Sequence, residues 1–494
     1  MKVLMTALLI HLPITSLASL LTASRVNQEL KQFQNSSIEY MNSPATKSKT
    51  GSQFFNNSEV LTSKFVQMKA NLRSTIIPRN KSSFRSNDRV DSLVDTQNIE
   101  RNILSMDKSS LTEGEVQNRP WSDDYWPIYR GILGSRYADD EFDYLSEWIE
   151  SINYIKKDEA NTVYETQNIK QIDMLSPSEK YDLLISGKDL ALTKKMWAVG
   201  RGYYNRSGNV ASWMGICHGW APASYMMKRP TKKITVKSFD GKVDINFYPA
   251  DIKALASLLW ANVKTPTRFV GGRCRKSYPS TDDNGRVIDK DCYDTNAATW
   301  HMSIVNQIGV SKQGFVMDAT YDYEVWNQPV VAYQYKYFNP ITNEAVETLK
   351  EATIKLSDLK KDKFKNYRGR NTKYLVGISM EVEYGVENSP IQREVESKEQ
   401  DITTRAFYLY DLELDSDKNI IGGEWYKNTH PDFLWTPPKN TRAITNGDYY
   451  ILSERNWDGR APLSKRWKDL AQKTAKSGQP LAKIVESLIE LSNK

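Results

Sequence analysis

At 494 residues, with 39% hydrophobic and 11% aromatic side chains, the chain is long enough for two or three ordinary domains and apolar enough to fill their cores. Its formal net charge of +7 is mild for this length, and no Lys/Arg-rich block interleaved with aromatics occurs, which argues against nucleic acid as a partner. With only three cysteines and four histidines, each such residue matters to any thiol or imidazole chemistry.

The first residues, "MKVLMTALLIHLPITSLASLLTAS", carry one Lys, an apolar run broken by Pro13, and small residues at Ser16, Ala18 and Ala23. They predict a signal peptide over 1–23 and a soluble, secreted protein, extracellular or periplasmic. Pro13 and the shortness of the run argue against a membrane anchor, and no later segment is apolar enough to span a bilayer. Residues 24–115 are rich in Ser, Asn, Lys and Gln, and all 13 tryptophans lie at or after Trp121. So polar a segment buries too little to offset its ordering entropy. It is expected to be a disordered, low-complexity tether or pro-segment, with short helices around 59–72.

A folded region begins near "RPWSDDYWPIYRG", with helices predicted around 140–158 and 177–188. "KKITVKSFDGKVDINF" reads as a hairpin turning at Asp240-Gly241. "YPADIKALASLLWANV" reads as a helix started by Pro249, with Ile252, Leu255, Leu258 and Leu259 on its apolar face. "YLVGISMEVEYG" and "TTRAFYLYDLELD" alternate as strands with one solvated face do. The end of the chain reads as two short helices divided at Ser477-Gly478. The expected class is α+β, with a catalytic core over 116–345 and a β-rich and helical region over 346–494.

Cys274 and Cys292 bracket a polar loop and are expected to form a disulfide, which would constrain the unfolded chain by about 3 kcal/mol. Cys217 is then left over, in "WMGICHGWAPASYMMK". Pro222 has no N–H, so a helix is expected to start near Gly219 to Ala221, with Cys217 just ahead of its N-terminus. Unpaired N–H groups there favour a thiolate. Gly215 and Gly219 permit a sharp turn. The side chain of His218 diverges from its neighbour and reads as a packing residue, and His430, fixed by Pro431, reads as structural.

The remaining base is His301. "HMSIVNQIG" reads as a strand, followed by a loop and a second strand, "GFVMDATYDYE". Antiparallel pairing sets His301 opposite either Asp318 or Asp322, depending on the hinge. Either register yields a nucleophile, a base and a group that orients the base.

"GICHGWAPA", "TWHMSIVNQIG", "GFVMDATYDYEVWNQPV" and "IIGGEWYKNTHPDFLW", spread over roughly 116–440, together resemble the transglutaminase elicitor family, secreted transglutaminases of plant-pathogenic oomycetes with relatives in marine bacteria. The resemblance implies calcium-dependent cross-linking of glutamine- and lysine-bearing proteins, with no organic cofactor, on a papain-like core with helical and antiparallel β additions. Its triad falls on Cys217, His301 and Asp318. A protonated His301 and the helix terminus are expected to lower the Cys217 thiol pKa, and Trp213, Trp220, Trp300 and Trp326 to wall the site. The candidate calcium stretches are weak: Asp415, Asp417 and Asn419 lack the glycine and glutamate of an EF-hand, and Asp282, Asp283 and Asn284 are no stronger. Metal ligands stay unassigned. The alternatives are a papain-like protease, a glutamine deamidase, or a non-catalytic secreted interaction protein.

Overall fold

The computed structural model describes residues 21–44, 46–48, 88–94, 98–187, 189–272, 279–289, 292, 295–319 and 325–494. Residues 1–20 of the expected signal peptide, the helices expected around 59–72, Cys274 and Asp322 lie outside the described residues.

In chain order the helices used below are α1 (Ala23–Asn35), α2 (Pro177–Ile185), α3 (Ala191–Ser207), α4 (Cys217–Met226), α5 (Pro249–Asn262), α6 (Ala297–Ile304), α7 (Lys465–Ala475) and α8 (Ala482–Ser492). The strands are β1 (Thr46–Ser48), β2 (Glu113–Glu115), β3 (Ile234–Lys237), β4 (Asp244–Phe247), β5 (Arg268–Gly271), β6 (Val316–Asp318), β7 (Asn327–Asn339), β8 (Glu344–Val346), β9 (Thr353–Lys355), β10 (Tyr374–Gly385), β11 (Thr403–Leu414), β12 (Ile420–Trp425) and β13 (Phe433–Thr436). The α+β expectation holds as a mixed helical and antiparallel structure. Among the described residues, one sheet runs β1-β11-β10-β7-β6-β13-β5, with β2, β8, β9 and β12 attached along it. The predicted hairpin is the separate pair β3–β4.

The helices gather in a lobe beside this sheet. One apolar core joins α2, α3, α5, α7 and α8 to the β3–β4 hairpin. Ser176 and Glu179 cap α2 reciprocally, and Pro177 and Pro249 start α2 and α5, as proline at a first helical position does. Two buried ion pairs tie the lobe internally. Lys180 meets Asp251 at 2.7 Å, and Arg136 reaches Glu179 with two hydrogen bonds of 3.0 and 2.7 Å.

Strands β10 and β11 depart from the expectation of one solvated face, since they are buried on both. On one face Ile378, Met380, Tyr408, Tyr410 and Leu412 pack under α6. On the other, Phe407 and Leu409 pack with Phe338, Phe364 and Tyr426. The polar residues of the alternation are buried too: Arg368 pairs with Asp411, and Thr372 donates to Glu413. Alternation reports which residues share a face, and a partner segment decides whether that face is wet.

Part of the stretch expected to be a disordered tether, 24–115, is ordered. Helix α1 buries Val26, Leu30 and Phe33 on the Phe407 face, and β1 pairs with β11. The mean polarity of the segment hides four residues on one helical face, since Glu29 is buried as well, paired with Tyr40 at 2.7 Å.

Helix α4 lies against α5 and also reaches β7, so it bridges lobe and sheet. Gly219 makes the approach possible, because a Cβ there would stand 2.2 Å from the Ser257 carbonyl and 2.6 Å from the Ala261 Cβ. A small cluster of Ala221, Val316, Val325, Phe433 and Trp435 fills the seam. Gly202, on α3, has nothing within 4 Å of a Cβ. Gly219→Ala is therefore expected to lower unfolding free energy by about 1–3 kcal/mol through overpacking. Gly202→Ala is expected to raise it by about 0.5–1 kcal/mol through helix propensity. Denaturant midpoints measured at equal slope check both.

Candidate active site

Cys217 is the first residue of α4, which starts two to four residues earlier than expected and carries Pro222 inside it. The preceding turn is fixed by the Ile216 N–H donating to the Tyr125 carbonyl at 2.7 Å. Gly215 allows that contact, since a Cβ there would lie 2.3 Å from the same oxygen. Ile216 offers no side-chain cap, so the first N–H groups of α4 lack the partner that Ser or Asp would supply.

Cys217 is a free thiol and is buried, with 5% exposure. It donates to the Val325 carbonyl at 3.8 Å, and its sulfur accepts from Asn327 Nδ2 at 3.6 Å. Asn327 is held in turn by Trp435, whose Nε1–H donates to Asn327 Oδ1 at 2.8 Å. Asp318 and Asn327 face each other across the β6–β7 pairing. The Trp326 N–H donates to Asp318 Oδ1 at 3.1 Å, and the Ala319 N–H to the Trp326 carbonyl at 3.0 Å, which clamps residues 325–327 around the thiol. Trp326 also packs on Tyr125, ring centroids 5.4 Å apart.

The thiol does not have the lowered pKa expected of it. Burial pushes Cys217 up to about 12. Hydrogen bonds from the Asn327 main chain and side chain pull it down, while the charges of Glu387 and Asp318 add to the rise. The Asn327 hydrogen bonds do not offset the loss of hydration.

His301 sits elsewhere. The run "HMSIVNQIG" is helical, with α6 passing into a π-helical turn over Val305–Val310, rather than the strand expected. A short, wholly buried run suits a helix as well as a strand, and here the helix wins. On α6, His301 is fully buried, its Nδ1 2.9 Å from the Tyr410 hydroxyl and its ring against Tyr335 and Tyr410, while Nε2 has no hydrogen-bond partner among the described residues. Burial holds its pKa down at about 3, so the ring is neutral rather than protonated. The structure thus groups Cys217, Asp318 and Asn327, and places His301 in a cage of tyrosines. His218 is lowered to about 4 by burial, and His430 stacks on Trp425 at 4.5 Å.

Of the four tryptophans expected at the site, Trp326 flanks the thiol segment. Trp300 packs with Phe315 and Tyr408, and Trp220 donates to the Trp121 carbonyl. Asn327 and Trp435 escaped the sequence reading. The available signal was a pair of carboxamides, Asn327 and Gln328, ahead of an apolar strand, each of which needs a partner when buried.

The acidic stretches do not fit calcium. Asp415 takes the N–H groups of Asp417 and Asn419 and the Asn419 side chain, and Asp282 takes the N–H groups of Asn284 and Arg286 and the Tyr367 hydroxyl. These are closed turns. Among the described residues, no group of three or more His, Cys, Asp or Glu side chains is placed to hold a metal ion.

Two pH-dependent outcomes follow. Iodoacetamide labelling of native Cys217 is expected to be slow at pH 7 and to rise about tenfold per pH unit beyond pH 9, as a thiol with a raised pKa dictates. A labelling rate already level at pH 8 sinks this assignment. The imidazole resonances of His218, His301 and His430 are expected to stay at neutral positions from pH 8 down to pH 5, because burial holds all three pKa values near 3 or 4. Burying them neutral stabilises the fold above about pH 6.5, and that contribution is lost as pH falls toward 4 and 3.

A family model described as transglutaminase elicitor matches residues 94–449. No curated protein matches the chain in sequence. Among solved structures, the chain is similar to the GP42 transglutaminase from Phytophthora sojae, with 21% identity, a TM-score of 0.45, and coverage of 74% of this chain and 92% of that one. The family model spans most of the chain, including Cys217, His301 and Asp318, and the protein belongs to the transglutaminase elicitor family.

Proposed function

We propose that the protein is a protein-glutamine γ-glutamyltransferase that uses Cys217 as its nucleophile. The observation carrying this reading is a free thiol at the start of a helix, set on the lobe–sheet seam against Asn327 and within reach of the Asp318 charge, in a member of this family. A nucleophile at a helix start facing a sheet also suits the papain-like core the family resemblance implies.

In this reading the Cys217 sulfur attacks the carboxamide carbon of a protein glutamine. The tetrahedral intermediate expels ammonia and leaves a thioester. A lysine amine then attacks, an isopeptide bond forms, and the thiol takes back a proton. His301 is the proposed proton carrier, oriented by Asp318. That role requires it to leave Tyr410 and the tyrosine cage during turnover. Calcium enters no step. Secretion after removal of residues 1–23, and a Cys274–Cys292 bridge, belong to the same proposal.

A second reading, a non-catalytic interaction protein, is favoured by the high thiol pKa and by the attachment of His301 to Tyr410. Incubation with a glutamine-bearing protein and a fluorescent primary amine separates the two. Amine incorporation that Cys217→Ala and His301→Ala each reduce by at least about 100-fold supports the transferase, since such groups act as a unit. Ammonia release or peptide cleavage without incorporation indicates a deamidase or protease. No turnover at all leaves the interaction protein.

A further inference from the structure

We infer that Asn327 is a catalytic residue, whose side-chain and main-chain N–H groups stabilise the Cys217 sulfur when it ionises during turnover, with Trp435 as its positioning residue. The inference rests on the transferase reading of Cys217 and adds a role to a residue outside the expected triad.

The thiol hydrogen points to the Val325 carbonyl at 3.8 Å. Once that proton leaves, the contact turns from attraction to repulsion between a sulfur anion and a carbonyl dipole. Asp318, across the strand pair from Asn327, opposes the anion as well. Asn327 is the neighbour that favours it. Nδ2 donates to the sulfur from 3.6 Å, and the Asn327 main-chain N–H donates to the same atom. Hydrogen bonds to an ionised acceptor are roughly twice as strong as neutral ones.

The amide has one useful orientation. With Oδ1 toward the sulfur it would repel the anion. Trp435 Nε1–H, at 2.8 Å, engages Oδ1 and thereby commits Nδ2 to Cys217. Asn327 is 2% exposed and Trp435 3% exposed, so water does not compete for either contact. A carboxamide fixed at one end by an indole and aimed at a sulfur with the other serves no packing need that Leu would not meet.

The test compares iodoacetamide labelling of the full chain with its Asn327→Asp and Trp435→Phe variants over pH 6 to 11, with amine incorporation measured alongside. Asp keeps the size of Asn and can still accept from Trp435, but sets a charge beside the sulfur. Expected for Asn327→Asp is labelling at pH 8 slowed by at least about tenfold and a profile moved up by about one pH unit or more. Incorporation should lose kcat while KM for the glutamine substrate holds. Trp435→Phe should move the profile the same way by about threefold. Circular dichroism screens out unfolding, and if Asn327→Asp does not fold, Trp435→Phe decides alone. Unmoved profiles in folded variants overturn the assignment of Asn327, even where the unaltered protein incorporates amine. Moved profiles in a protein that never incorporates amine keep Asn327 as the residue that holds the thiolate and overturn the transferase reading instead.

Discussion

The short pairing of β6 with β7 at Asp318 and Asn327 is the constraint on which the candidate site depends. Asp318 takes the Trp326 N–H, and with the Ala319 N–H to the Trp326 carbonyl it fixes the segment whose Val325 carbonyl and Asn327 amide bracket the thiol. A carboxylate in that place has two opposed effects. It orders the donors that favour a sulfur anion, and its own charge disfavours that anion. Burial, with the charges of Glu387 and Asp318 added to it, leaves the thiol neutral on a framework already arranged for the charged form.

That framework is assembled from two bodies of structure. The thiol comes from the helical lobe, at the start of α4, and its partners come from the sheet, at the start of β7. Their meeting depends on the small apolar seam around Ala221 and Trp435, while close approach at Gly219 seats α4 on α5 within the lobe. Inside the lobe, buried Lys180–Asp251 and Arg136–Glu179 pairs hold helix starts and loops in register. Such pairs contribute little net stability against apolar replacements, and their value lies in geometry. Asp251 shows this, since it also takes the Tyr248 N–H and the Tyr137 hydroxyl, so one carboxylate sets three segments.

Much of this was legible in the chain. Pro249, the Asp240-Gly241 turn and the alternation in 374–385 and 403–414 place their elements where the structure has them. Cys217 beside a helix start was legible too, from its glycines and Pro222. Three things were not. The run at His301 is buried on every face, its polar Ser303, Asn306 and Gln307 included, and periodicity says nothing when every face is buried. Helix α1 is polar on average, and only the burial of Val26, Leu30 and Phe33 in one stripe reveals it. The thiol pKa depends on burial, which a motif does not encode. Local sequence foretells donors and charges, but the desolvation that outweighs them belongs to the tertiary structure.

The placement of β1 has a bearing on how the molecule behaves among its own copies. Along its outer side, β11 is paired at Arg405–Phe407 by β1 and at Tyr410–Leu414 by β12. Between them, the Leu409 carbonyl accepts the Tyr426 N–H at 3.0 Å. A twelve-residue strand that would otherwise offer a ladder of open amides and carbonyls is thus closed by two separate stretches of chain. Open ladders recruit strands from neighbouring molecules and seed aggregates. Residues 46–48 cover the Arg405–Phe407 stretch of that ladder, and a cut that releases them would reopen it to such pairing.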